Sequence, residues 1–270
     1  MLSMNDTYPD KHPVLTEDGS LTLYSSEFDQ AYHSMQAGAL TESLTKHVVP
    51  ALHLQQTKTH LNILDINYGL GYNTLATLYT IRKHNLDTTI HILSPELDED
   101  LVRSLSQFDY PPEFADLRPV IEALSQNLHY EDKQFTLDIL IGDARKTIPK
   151  IPTSYFLLPT SKIDIVYQDA FSPQANPLLW TREWFADVRA LCAENAILTT
   201  YSTAAATRMA LHENGFELYE YRPKGTRRSL IASPLPIEMG RLEGLEWIDM
   251  DLKMVRNPEG RSLRDGEFLV

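Results

Sequence analysis

The sequence holds one cysteine, Cys192, in 270 residues. A single thiol forms no internal disulfide and builds no cysteine-based metal site. Set in Val188-Arg189-Ala190-Leu191-Cys192, it reads as a small buried residue on a helix and not as a catalytic thiol. Glycine is scarce too, with 11 residues against a usual share of about 7%, so each is expected where the backbone demands it. Positive charge is short: 24 Lys and Arg stand against 37 Asp and Glu, a net charge of −13. That balance disfavours capture of nucleic acid or an anionic membrane by overall charge, so any polyanion must be met by a local basic patch. Apolar runs approaching the roughly 18 residues of a membrane span are missing. Residues 1–11 lack the basic-then-apolar order of an export leader, and the expected location is the cytoplasm.

What is there is the composition of an ordinary globule, 43% apolar and 23% charged, which excludes wholesale disorder. The length suits one large domain with extensions. Residues 1–36 read as an N-terminal hairpin extension, with a turn at Glu17-Asp18-Gly19-Ser20 and the alternating Leu21-Thr22-Leu23-Tyr24 after it. Leu40, Leu44, Val48 and Leu52 recur every four residues and predict a helix from Gly38 to Leu54. Five apolar runs then alternate with helix-length stretches: 62–66, 89–93, 137–141, 163–167 and 196–201. Such a pattern predicts parallel strands buried on both faces. Two further runs, 216–221 and 229–233, are expected as a hairpin at the sheet edge. The fold class is therefore α/β and Rossmann-like, with a mostly parallel seven-stranded sheet over residues 37–234. Residues 235–270, with scattered apolar positions, are expected as a packed C-terminal extension.

In an open α/β sheet, ligands sit at the carboxyl ends of the strands. The first parallel run ends in Asp65-Ile66-Asn67-Tyr68-Gly69-Leu70-Gly71-Tyr72-Asn73, where two glycines let backbone approach a ligand and the next helix offers free N–H groups. Glu96 ends the second run and can accept both hydroxyls of a ribose. Asp143 and Ala144 follow the third, and Asp169 follows the fourth. A dinucleotide fingerprint needs a third glycine where this chain has Thr74, so a pyrophosphate fits poorly. Acids for a ribose and an exocyclic amine, beside a turn that need not bind an anion, point to S-adenosylmethionine.

Three motifs carry a resemblance: Asn67 to Asn73, Leu140-Ile141-Gly142-Asp143-Ala144, and above all Asp169-Ala170-Phe171-Ser172-Pro173 through Trp180-Thr181. With Asp18 to Tyr24, Tyr32-His33-Ser34 and Gly38 to Ser43 upstream, the sequence from about residue 17 to 234 resembles the methyltransferase domain of the MnmC family. The likeness is to the stand-alone form, because no FAD-binding fingerprint is present. The resemblance implies methylation, by S-adenosylmethionine, of the primary amine of 5-aminomethyl-2-thiouridine at the tRNA wobble position. It implies cofactor contacts at Asp65, Asn67, Tyr68, Gly69, Gly71, Asn73, Glu96, Asp143 and Ala144, and a catalytic region at Asp169 and Phe171. The partner it implies is the tRNA anticodon arm.

The chemistry of the residues agrees. An alkylammonium has no lone pair, so a nearby group must accept or order its departing proton, and Asp169 is the candidate catalytic acid–base residue. Phe171 can face a cation or pack beneath its loop. Tyr201 ends the fifth strand at the same rim. Trp180 and Trp184 read as packed on the sheet, and His33 as closing over the cofactor or as a structural histidine, with no metal site expected. Arg222-Pro223-Lys224-Gly225-Thr226-Arg227-Arg228 holds four positive charges and no acid, so Lys224, Arg227 and Arg228 are candidate phosphate contacts. The family has glycine where this chain has Asn67, which can adopt the same left-handed backbone. It has a glycine pair where Ala193-Glu194-Asn195 stands, and Asn195 is expected to make that turn. Two other readings stay open: an aminopropyltransferase using decarboxylated S-adenosylmethionine, which needs an acidic polyamine channel, and a catalytically silent cofactor- or RNA-binding protein.

Overall fold

A computed structural model describes residues 10–151, 162–223 and 225–269. Its first element is an antiparallel sheet of β1 (Lys11–Leu15), β2 (Leu21–Ser25) and β3 (Gln30–Ala31). The turn between β1 and β2 has a second task. The Asp18 carboxylate accepts from the Ser20 and Thr41 backbone N–H groups, at 3.0 and 2.9 Å. It thereby satisfies the start of the next helix, a favourable place for an anion. Gly38, at φ 90°, leaves no room for a Cβ beside that carboxylate. These bonds outweigh burial and hold Asp18 down to about 2.

The predicted first helix, α1, covers residues 39–54 in three pieces: α-helical Ala39–Glu42, π-helical Ser43–Val48 and α-helical Val49–Leu54. The regular spacing of four apolar residues accommodates this widened middle, a distortion common where a helix serves a site.

The five apolar runs become the parallel strands β4 (His60–Ile66), β5 (Thr89–Glu96), β7 (Phe135–Ile141), β8 (Ile163–Gln168) and β9 (Cys192–Thr200). Antiparallel β10 (Glu217–Tyr221) and β11 (Ser229–Ser233) make the expected hairpin. Two three-residue strands extend these seven to nine among the described residues: β6 (His129–Glu131) and β12 (Leu245–Trp247). The order is β12-β10-β11-β9-β8-β4-β5-β7-β6, so the hairpin lies one strand inside the edge. Side-chain alternation sorts the core: Ile63, Ile92, Ile165 and Ile197 pack on one face, while Leu64, Leu93, Val166 and Leu198 pack on the other. Because β4 sits between β5 and β8, the crevice for a ligand opens beyond its carboxyl end.

Two local expectations are corrected. Cys192 opens β9 and does not lie on a helix, though it is buried as expected, and burial pushes its thiol up to about 12. Asn195 makes no left-handed turn. It lies within β9, near the point where the register with β8 shifts, and its carbonyl accepts from Gln55 Nε2 at 2.7 Å. The segment after β11 is ordered by Leu245, Ile248 and Met250, which are buried, and by a short helix, Met250–Arg256. None of the helices is long and apolar enough to cross a membrane among the described residues.

Candidate active site

The turn after β4 is built as its residues require. Asn67, Gly69 and Gly71 take φ values of 63°, 53° and 73°, left-handed backbone that asparagine and glycine tolerate best. At Gly71 a Cβ would lie 2.6 Å from the Tyr68 ring. The Gly69 N–H donates to Glu96 Oε2 at 2.7 Å and the Asp98 N–H to Glu96 Oε1 at 2.9 Å, tying the turn to the end of β5. Burial raises the Glu96 carboxyl above its ordinary value despite those bonds.

A cavity of about 710 Å³ opens beside this turn, a size suited to a small-molecule ligand. Asn67, Tyr68, Gly69, Asn73 and Glu96 line it, as do Asp143 and Ala144 after β7. Asp143 is also engaged locally, capping the following helical turn by accepting the Arg145 N–H at 3.0 Å. Asp169, Phe171 and Tyr201 line it as well, and Arg227 and Arg228 reach the same cavity. Asp65 and Gly71 do not line it. Asp65 lies buried behind the turn, accepting from Thr74 Oγ1 at 2.7 Å, and burial pushes its carboxyl up to about 7. Its place is beneath the turn and not on the cavity wall. Lys224 lies outside the described residues.

Asp169 is held from two sides. Its Oδ2 accepts from Asn73 Nδ2 at 2.8 Å, and its Oδ1 lies 3.4 Å from His47 Nε2. Burial alone would raise its pKa, but His47 and the Asn73 bond outweigh it and hold the carboxyl below its usual value. Phe171 stacks on Phe28, centroids 4.4 Å apart, and meets Tyr32 edge-on at 4.9 Å, so it joins an aromatic cluster on the wall. Its carbonyl accepts from Trp180 Nε1 at 2.7 Å. Trp180 and Trp184 are fully buried, in keeping with a packing role. Tyr201 donates to the Ala170 carbonyl at 2.8 Å.

The residues suit S-adenosylmethionine. Asn73 Oδ1 is buried with no hydrogen-bond partner among the described residues, Glu96 stands at the strand end, and the turn backbone is open to the cavity. A model of the S-adenosyl-L-methionine-dependent methyltransferase family matches residues 115–236. The chain is 29% identical to MnmC2 from Aquifex aeolicus, and its fold matches that crystal structure with a TM-score of 0.77 over 96% of this chain and 80% of that one. It is an S-adenosylmethionine-dependent methyltransferase related to MnmC. The methyltransferase is also 26% identical, over 278 residues, to the tRNA 5-methylaminomethyl-2-thiouridine biosynthesis bifunctional protein MnmC of Aeromonas salmonicida, covering 96% of this chain and 39% of that protein. An uncharacterized protein of Methanocaldococcus jannaschii is 28% identical over 221 residues, 80% of this chain and 57% of the relative. The chain thus spans only part of the length of either curated relative.

Several groups of the methyltransferase leave little or no mark in the sequence. Glu42 and Lys46 form a buried ion pair of 2.6 Å on the cavity wall; their spacing of four is a visible signal. His47 has none, since a histidine in an apolar helix pattern reads as core. Arg145 donates to the Leu178 carbonyl at 2.7 Å and pairs with Asp265, which also accepts from Thr181 Oγ1 at 2.7 Å. The C-terminal segment therefore braces the loop after β8. The basic loop, acid-free in sequence, is not so in space: Glu220 of β10 lies 3.1 Å from Arg228 and 3.6 Å from Arg222.

Proposed function

We propose that this methyltransferase transfers a methyl group from S-adenosylmethionine to the primary amine of 5-aminomethyl-(2-thio)uridine at the tRNA wobble position, giving 5-methylaminomethyl-(2-thio)uridine. It acts in the cytoplasm on the anticodon arm. The observation that carries this reading is Asp169, an acid kept ionised on the wall of a cavity that Phe171 and two arginines share. The name of the Aeromonas relative supports the choice of base. Residues 37–234 form the catalytic domain in this reading, 1–36 add a wall to the site, and 235–270 brace it.

Glu96 would accept the ribose hydroxyls and Asp143 the exocyclic amine, with Ala144 closing the wall beside it. Asn67, Tyr68 and Gly69 bring backbone close, Asn73 offers an unused acceptor, and Asp65 and Gly71 hold the turn in shape. Bound there, S-adenosylmethionine supplies an electrophilic methyl group on a sulfonium. Asp169 pairs with the substrate ammonium, takes one proton and passes it to water, which frees the nitrogen lone pair. Its contribution is chiefly to hold that lone pair in line. The Phe171 ring faces the cation, a contact worth roughly 0.5–2 kcal/mol. Tyr201 borders the substrate, and Lys224, Arg227 and Arg228 meet tRNA phosphates.

Incubation with labelled S-adenosylmethionine and tRNA bearing the 5-aminomethyl group, followed by digestion to nucleosides, is expected to place label in the methylaminomethyl nucleoside. No label from folded protein would overturn the reading. Reversing Arg227 and Arg228 to glutamate is expected to weaken tRNA binding and to make log affinity less steep against log salt, by about 1 for each phosphate no longer neutralised. Unchanged binding would move the tRNA surface elsewhere.

A further inference from the structure

We propose that His47 is the positioning residue for Asp169, fixing the carboxylate oxygen that Asn73 leaves free and so setting how the acid meets the substrate amine. The inference rests on the reading that Asp169 meets an amine. Its geometry is independent of that reading. His47 is completely buried on the π-helical segment of α1. Its Nδ1 lies 2.9 Å from Thr199 Oγ1 near the end of β9, which fixes one edge of the ring. The Tyr167 ring meets it edge-on, centroids 5.9 Å apart. The other edge carries Nε2, which has no hydrogen-bond partner among the described residues and lies 3.4 Å from Asp169 Oδ1.

A buried polar atom without a bond is costly unless the site uses it. Here the only carboxylate in ion-pair range of it, among the described residues, belongs to Asp169. Asn73 takes Oδ2 and His47 faces Oδ1, so the plane of the carboxylate is set from both sides. The remaining lone pairs are then available to the cavity. Holding an acting group within a fraction of an ångström of its working geometry is a large part of what an active site contributes. The other titratable groups around the pair are His33 after the N-terminal sheet, Glu42 and Lys46 on the same helix, Asp65, Tyr167 of β8 and Tyr201 just past the end of β9.

Two variants test this, His47→Gln, which keeps an N–H donor, and His47→Phe, which keeps the ring and removes both nitrogens. The first readout needs neither substrate nor cofactor: carbon-13 NMR of the Asp169 carboxyl as pH is varied. The Asp169 titration is expected to move to higher pH in both variants, further in His47→Phe. The second readout is kinetic. Turnover is expected to fall on the order of tenfold in His47→Gln and about a hundredfold in His47→Phe, while S-adenosylmethionine binding stays near wild type. The acid limb of the pH–rate profile should shift upward in step with the NMR titration. An Asp169 titration that stays in place in both variants overturns the proposal, and so does a loss of cofactor affinity that parallels the loss of turnover. If wild-type protein methylates no aminomethyl-tRNA, the functional reading fails instead, and the NMR result still decides whether His47 governs Asp169.

Discussion

Asp169→Asn is expected to lower turnover about 10²–10⁴-fold, the range for loss of a positioned acid–base group, with little change in S-adenosylmethionine affinity. The substitution is nearly isosteric, and its side-chain oxygen can still accept from Asn73 Nδ2, which lies 2.8 Å from Asp169 Oδ2. The packing around His47 should survive. What disappears is the negative charge that pairs with an ammonium and receives its proton. Single-turnover kinetics beside equilibrium binding of the cofactor separate the two quantities. Equal losses in both would make Asp169 a cofactor ligand and remove it from the chemical step.

The largest effect on stability is expected at Trp180. The side chain is fully buried, meets Phe185 and Tyr201 at 6.4 and 5.9 Å between ring centroids, and donates to the Phe171 carbonyl. Trp180→Ala should cost about 3–5 kcal/mol, through missing packing and an unfilled cavity. Domains of this kind hold a total of about 5–15 kcal/mol, so the substitution removes a large share of it. Trp180→Phe is the informative companion. It keeps an aromatic ring but leaves the Phe171 carbonyl without its indole donor, a cost of about 1–3 kcal/mol. Chemical denaturation measures the stability of both variants, and methyl transfer measures the consequence for Phe171. The phenylalanine variant is expected to fold and to lose turnover, because the Phe171 ring depends on where its backbone is anchored. Wild-type turnover in that variant would show that the stack on Phe28 alone fixes Phe171.

The central sheet is legible in the sequence because buried parallel strands need apolar residues on both faces, and the pairs Ile63-Leu64, Ile92-Leu93, Ile165-Val166 and Ile197-Leu198 supply them. Acids at Glu96, Asp143 and Asp169 can be read as strand-end residues for the same reason. Shorter pieces leave less trace. His129–Glu131 and Leu245–Trp247 are three residues each and are recruited by neighbours already in place. Cys192 reads as helical because Arg182–Leu191 runs directly into β9 with no glycine between them. Pairings distant in the chain are silent in any local pattern. Arg145 and Asp265 are one example, and Glu220 beside Arg228 another, since that pair depends on the register of the β10–β11 hairpin. His47 is hidden for a different reason: a buried histidine on an apolar stripe looks the same whether it serves the core or a neighbouring carboxylate.

Asp65, buried behind the glycine turn, links this protein to protons. Its carboxyl ordinarily ionises near 3.8 and in the fold near 7, so between those values the folded state binds more protons than the unfolded one. Stability from this group is fully present below the lower value and is lost as pH rises through the upper one. The positive charge of S-adenosylmethionine, if held in the neighbouring cavity, would favour the ionised acid, so cofactor binding and proton release should rise together. S-adenosylmethionine affinity is then expected to increase as pH climbs through about 7, and Asp65→Asn should flatten that increase in a calorimetric titration.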